Sequence, residues 1–159
     1  MLNIHETVYP RFKSNISTNE LENLYTPSEE EIQLADKNTR NIITKFCFLL
    51  TIKAFQKLGY FISVNEIPQS IIKHIALKLN MEVSIRKLIK YDKSRMRKYH
   101  IALIRKYLSA KPYNADARYL LVQTIGKSAL TKDEPLDLIN LAIEGKCPLF
   151  YWNFSICSV

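Results

Sequence analysis

The stretch RNIITKFCFLLTIKAFQKLG, residues 40–59, decides the fold. Its apolar residues recur with the period of an α-helix, and Gly59 is placed to end that helix with a left-handed cap. The apolar stripe comprises Ile42, Phe46, Phe48, Leu49, Leu50, Ile52 and Phe55, and the aliphatic stem of Lys53 is a further candidate. One edge of the helix is expected to be exposed to solvent, because it carries three lysines at nearly regular spacing, Lys45, Lys53 and Lys57. The sequence therefore predicts a helix that is central to the core.

Start and stop signals predict further helices on both sides of this one. Thr26-Pro27-Ser28-Glu29 predicts a capping box with proline at the first helical position. Pro68 is predicted to open a second helix, and Ser84 and Ser94 are predicted to cap two more. The last two helices are expected from Asn114 or Asp116 and over 136–144. The strongest strand candidate, 60–64, is too isolated to build a sheet, so the predicted class is all-α.

The order of these helices predicts two consecutive small bundles of the helix-turn-helix kind. We expect an N-terminal subdomain at 1–82, a second at 83–146 and a divergent apolar tail at 147–159. The tail is rich in aromatic residues but has no clear period, so it supports no structural prediction.

The bulk composition excludes several classes of protein. The longest apolar run, 46–50, is far too short to cross a membrane, and the N-terminus has no secretory signal pattern. The three cysteines form no C-x-x-C pair and lie at no metal-binding spacing from the histidines. We therefore expect a cytoplasmic protein with no metal, no cofactor and no membrane partner.

The net charge of +8 is concentrated in the middle of the chain. Residues 37–111 hold 17 lysines and arginines against Glu66, Glu82 and Asp92, whereas the segments on either side are net acidic. A cationic surface on a folded part of the chain favours a polyanionic partner such as nucleic acid. The alternative is a solvated cationic face that binds nothing.

Motifs typical of enzymes are absent from the sequence. It contains no phosphate-binding glycine loop, no G-x-S-x-G and no H-E-x-x-H. The acidic run Glu29–Glu31 is better explained by the start of a helix, where the dipole favours negative charge. We therefore expect a protein that is not catalytic by itself.

One constellation points to DNA. Two short helices joined at 92–94, the second of them basic and rich in tyrosine, resemble a helix-turn-helix whose second helix enters the major groove. Arg95 and Lys98 are the best candidates for contacts to bases or flanking phosphates, and Arg86, Lys87 and Lys90 are expected to hold the backbone. The basic set is completed by Arg97, His100, Arg105 and Lys106. The stripe predicted to be buried in the second helix comprises Met96, Tyr99, Leu103, Ile104, Tyr107 and Leu108.

From about Tyr9 to Glu144 the chain resembles the N-terminal region of transposases of the Tn-three family, the enzymes of replicative class II transposons. The landmarks are Tyr9-Pro10-Arg11-Phe12, Leu24-Tyr25-Thr26, Arg40, residues 44–48 and 50–61, Ile67-Pro68, Tyr91, Arg97-x-x-His100-x-x-x-Ile104-Arg105 and Pro112-Tyr113. The sequence departs from the family at Cys47, where a glycine is usual, and beyond about Gly145.

The resemblance implies a bacterial mobile-element protein that acts in DNA transposition and recombination. It implies binding of the terminal inverted repeats, as double-stranded DNA, through two helical units. Arg40, Lys45, His100 and Arg105 become site candidates by carry-over, although His100 and Arg105 are alternatively expected to hold the helices together internally. The acidic strand-transfer site of such an enzyme lies far downstream, so we expect a truncated remnant.

Two other functions remain open from the sequence. The chain is alternatively a helical protein-interaction module, with intact transposase as a possible partner, or a regulatory or inactive transposase remnant. An exposed aromatic tail would suit a partner surface.

Overall fold

The computed structural model describes residues 10–82, 84–110, 115–131 and 135–143. These residues contain eight α-helices and no strand, which confirms the all-α class. The helices are α1 (Thr18–Glu20), α2 (Glu29–Asn38), α3 (Ile42–Leu58), α4 (Gln69–Lys78), α5 (Ile85–Asp92), α6 (Arg95–Tyr107), α7 (Ala115–Ala129) and α8 (Pro135–Ile143). A π-helical turn, Leu21–Tyr25, follows α1, and a 3-10 turn, Val64–Glu66, precedes α4.

The chain divides into two compact units. The first unit is Arg11–Ile104 and contains α1 to α5 and most of α6. The second unit contains Pro10 and the described residues from Arg105 onward, in which α7 and α8 pack against each other. The predicted boundary after residue 82 lies inside the first unit, and the assignment of 1–82 and 83–146 as two DNA-binding subdomains stays a prediction. The tail at 147–159 lies outside the described residues.

Helix α3 is the centre of the first unit, as predicted. Every residue from Phe46 to Phe55 is buried, and α3 contacts α2, α4 and α5. Such a helix is apolar nearly all round because neighbours cover it on more than one side. At its end Gly59 adopts φ 76° and donates its N–H to the Phe55 carbonyl, which confirms the left-handed cap.

The prediction that Lys53 lies on a solvent-exposed edge of α3 is wrong. Its side chain is 9% exposed, and its Nζ lies 2.8 Å from Oε2 of Glu31, which is 4% exposed. Gln56 Nε2 donates to the other carboxylate oxygen of Glu31 at 2.7 Å. Helix α2 therefore covers this edge of α3 and supplies a carboxylate to the buried lysine. Periodicity alone gives no sign of a partner that is remote in the sequence.

The start of α2 also differs from the prediction. Ser28 is the N-cap, and its hydroxyl accepts from the Glu31 N–H while the Glu31 carboxylate accepts from the Ser28 N–H. Pro27 therefore precedes the helix. The Thr26 hydroxyl instead forms a 2.8 Å hydrogen bond with His74 Nε2 of α4. The capping box exists, but its register is shifted by two residues.

Cys47, inside the apolar run 46–50, is a small buried side chain. It is a free cysteine with no exposed surface, and burial raises the pKa of its thiol to about 12. In the described part of the chain, no helix combines the length and apolar character that a membrane crossing requires.

Candidate nucleic-acid interface

Helices α5 and α6 are joined by a turn of two residues, Lys93 and Ser94. The Ser94 N–H donates to the Tyr91 carbonyl at 2.9 Å, and the Ser94 hydroxyl donates to the same oxygen at 2.7 Å. The Ser94 oxygen also accepts from the Arg97 N–H at 3.4 Å, as an N-cap does. The two helices and their junction therefore occur where the sequence predicts them.

Asp92, the last residue of α5, ties this turn to the segment that follows α3. Its carboxylate accepts from the Val64 N–H at 2.9 and 3.0 Å and from the Ser63 hydroxyl at 2.5 Å. Arg97 Nε lies 3.1 Å from Asp92 Oδ1, and Arg97 Nη2 donates to the Ile62 carbonyl at 2.8 Å. Residues 60–64 were the strongest strand candidate in the sequence. In the structure, backbone groups of this segment are hydrogen-bonded to side chains of α5 and α6. Arg97 holds α6 in place, and only 21% of its side chain is exposed.

His100 lies in the core and not on the DNA-facing surface for which the resemblance proposed it. It has no exposed surface, and its Nδ1 forms a 2.7 Å hydrogen bond with the Tyr91 hydroxyl. Its ring meets Phe48 of α3 edge to face, with centroids 5.1 Å apart. Burial lowers the pKa of His100 to about 4, so the imidazole is neutral at physiological pH. The structure therefore favours the internal role that the sequence left as the alternative.

The exposed residues of α6 within the first unit are Arg95, Met96, Lys98, Tyr99 and Ala102. Four of them, Arg95, Lys98, Tyr99 and Ala102, are spaced i, i+3, i+4 and i+7, which places them on one face of a helix. Met96, Tyr99 and Tyr107 were predicted to be buried, but they are 39%, 49% and 39% exposed. The true buried stripe is rotated toward His100 and Ile104, because the contacts with Tyr91 and α3 turn that side inward.

Other cations extend this surface along α5 and the turn. Arg86, Lys87 and Lys90 are exposed, as predicted, and so is Lys93 in the turn. From Ile85 to Tyr107 the chain carries nine lysines and arginines, and Asp92 is the one acidic residue. Because Asp92 is occupied with Arg97, Ser63 and Val64, no free carboxylate on these two helices opposes a polyanion. In the last turn of α6, Arg105 is half-buried and Lys106 is exposed.

The family model described as Domain of unknown function (DUF4158) matches residues 3–145. The chain belongs to this family. No curated protein and no solved structure matches it.

In this DUF4158 chain, the two remaining candidates lie around the connection between α2 and α3. Arg40 is exposed in that connection. Lys45, in the first turn of α3, is 20% exposed, and its Nζ lies 2.6 Å from Asp36 of α2. The Tyr99 hydroxyl donates to Oδ1 of Asn38, two residues before Arg40, at 3.4 Å. The connection that carries Arg40 therefore lies beside the exposed face of α6, whereas Lys45 already has a carboxylate partner.

Sequence reasoning missed part of the exposed surface at α6 in the DUF4158 chain. Lys93 was not assigned to the site because it lies in the turn before the helix. Tyr99 was assigned to the core because aromatic residues are usually buried. The exposed position of Tyr99 could have been predicted, since it follows Arg95 at i+4.

The DUF4158 chain also has an apolar groove of about 370 Å³ between α4 and the start of α5. It is lined by Gln69, Ile72, Lys73, Ala76, Leu77, Met81 and Ile85. Five of these seven side chains are apolar, so the groove differs in chemistry from the cationic surface of α6. Within the described ranges, no group of three or more His, Cys, Asp or Glu residues is arranged to hold a metal ion.

Proposed function

We propose that this chain binds the terminal inverted repeats of a transposon, as the N-terminal DNA-binding portion of a transposase of the Tn-three family. The observation that carries the proposal is the exposed face of α6, on which Arg95 and Lys98 stand in a stretch with nine basic residues and no free carboxylate. A helix of this kind fits the major groove, and its cations can contact guanine edges and phosphates.

Two further observations support the proposal. The resemblance to Tn-three family transposases runs from Tyr9 to Glu144, and the DUF4158 match covers the same part of the chain, residues 3–145. The connection between α2 and α3, with the exposed Arg40, lies beside α6 and provides a second position for backbone contacts. Phosphate contacts on both sides of a recognition helix fix its register on the duplex.

Within this proposal, the chain supplies DNA recognition in the bacterial cytoplasm and strand transfer belongs to another part of the transposase. Arg97 and His100 act by holding α6 against the rest of the unit. Six exposed cations of α5, the turn and α6 act by direct contact with DNA: Arg86, Lys87, Lys90, Lys93, Arg95 and Lys98. Lys106 continues the exposed cations into the last turn of α6.

A fluorescence anisotropy titration of the whole chain tests the proposal. One probe is a duplex with the terminal inverted repeat, and the other is a scrambled duplex of the same base composition. If the six exposed cations between Arg86 and Lys98 all contact phosphates, log K falls with log salt with a slope of about −5. We expect tighter binding to the repeat than to the scrambled duplex at each salt concentration. Equal affinity for the two duplexes would contradict the proposal.

A further inference from the structure

The centre of the exposed face of α6 is not charged. Tyr99 and Ala102 lie there, exposed, with Arg95 one turn before Tyr99 and Lys98 beside it. This surface can make two kinds of contact with DNA. The cations can contact phosphates and guanine edges, and the uncharged centre can contact an apolar group on the floor of a groove.

The Tyr99 ring is held in place before any ligand arrives. Its hydroxyl donates to Asn38 Oδ1 at 3.4 Å, and its ring packs against the buried His100 with centroids 6.1 Å apart. His100 is in turn fixed by Tyr91 and Phe48. Because the hydroxyl proton is directed to Asn38, the exposed part of the side chain offers a partner the carbon face of the ring and the acceptor side of the oxygen. A side chain that is already ordered loses little entropy on binding.

Ala102 lets α6 approach closely. It lies one turn after Lys98, and its side chain is a single methyl group, so the helix backbone can come nearer to a base edge here than at any of the long side chains. In the major groove, apolar side chains such as alanine and phenylalanine contact the 5-methyl group of thymine. No other base presents such a group in that groove.

We infer that Tyr99 and Ala102 are specificity-determining residues that contact thymine methyl groups in the major groove. The inference rests on the proposed function, because it requires α6 to be the recognition helix. It names the substrate class more closely, as duplex DNA with A·T pairs opposite the centre of α6, flanked by the contacts of Arg95 and Lys98.

The experiment removes the methyl groups and nothing else. The inverted-repeat duplex is made with deoxyuridine in place of every thymidine, which keeps the base pairs and phosphates, and is titrated with the whole chain beside the thymidine duplex. We expect the affinity to fall at least about fourfold, as for the loss of one buried methyl-sized group. The scrambled duplex should show no such difference between its thymidine and deoxyuridine forms.

Variants assign the effect to Tyr99. Tyr99→Ala should weaken binding to the thymidine duplex and bring the ratio of the two affinities toward one. Tyr99→Phe keeps the ring and should keep the ratio. Tyr119→Ala, which removes another exposed tyrosine on α7, is the matched control and should also keep it.

The outcomes separate the inference from the proposed function. If the chain prefers the repeat but binds its thymidine and deoxyuridine forms equally, the inference is overturned and the proposed function stands. If the ratio is unchanged in Tyr99→Ala, Tyr99 does not contact the methyl groups and the inference is likewise overturned. If the chain does not prefer the repeat at all, the proposed function fails and the inference fails with it.

Discussion

Asp92 Oδ1 lies 3.1 Å from Arg97 Nε, and this pair closes the turn between α5 and α6. The two residues also bond to the backbone at Ile62 and Val64, about thirty positions earlier in the chain. The orientation of the proposed recognition helix therefore depends on a segment that lies outside α5 and α6. An arginine that sequence reasoning placed among the DNA-binding residues serves as a structural anchor.

Asp92→Ala is expected to lower the free energy of unfolding by about 2–3 kcal/mol, because it leaves the partly buried Arg97 and the Val64 N–H without their acceptor. Urea denaturation followed by circular dichroism measures the change. The matched control is Lys78→Ala, which breaks the exposed pair with Glu22 and should cost less than about 1 kcal/mol. Equal losses in the two variants would show that Asp92 does not hold the turn.

Lys53→Met should destabilise the fold by about 3–5 kcal/mol, because the Glu31 carboxylate would remain buried without its cation. Combining Lys53→Met with Glu31→Gln should recover at least half of that loss, since neither side chain is then charged. Lys45→Met is the control, because its partner Asp36 is 56% exposed and can be solvated. A double variant less stable than Lys53→Met alone would contradict this account of the pair.

The stability should depend on pH through His100. Its pKa is lowered from 6.5 to about 4 by burial, so below pH 6.5 the unfolded chain takes up a proton that the folded chain does not. The free energy of unfolding is therefore highest above pH 6.5 and falls as the pH decreases. Between pH 7 and pH 5 we expect a loss of about 2 kcal/mol.

Urea denaturation at several pH values measures this loss, and the range above pH 5 avoids most of the titration of carboxylates. His100→Gln should be less stable overall but should show a flatter dependence on pH. His74, whose pKa burial also lowers, contributes in the same direction, and His74→Gln should retain most of the slope. A slope that survives in His100→Gln and vanishes in His74→Gln would mean that the wrong histidine has been identified.

Local sequence signals predicted most of the helices. Helical periodicity and capping residues predicted α3 with its end at Gly59, the position of α4 after Pro68, and the junction of α5 and α6. These features were predictable because they depend on residues that are neighbours in the chain. The predicted capping box was displaced because Thr26 and Ser28 are both acceptable caps. In the structure Ser28 forms the box with Glu31, and the Thr26 hydroxyl bonds to His74.

The candidate site was less predictable, because its geometry depends on partners that are remote in the sequence. The exposed face of α6 was predicted from hydrophobicity, which assigned Tyr99 to the core. Arg97 was proposed for DNA binding from the basic run, and His100 from the family resemblance, with an internal role as its alternative. In the structure, Asp92 and Tyr91 provide polar partners that draw Arg97 and His100 inward. The hydrogen bonds of Arg97 and His100 therefore contribute to the choice of exposed face, together with the packing of His100 against Phe48.

The most direct test of the central claim, that the exposed face of α6 binds DNA, is the salt-dependent titration of the inverted-repeat duplex with a variant carrying both Arg95→Ala and Lys98→Ala. Both side chains are exposed, so the melting temperature should stay unchanged. The control carries Lys73→Ala and Lys78→Ala on α4 and loses the same net charge. The account predicts that the α6 variant binds at least about tenfold more weakly, with a salt slope smaller by one to two, while the α4 control binds nearly as the unchanged chain does. Equal weakening in both variants, or none in the α6 variant, would contradict it.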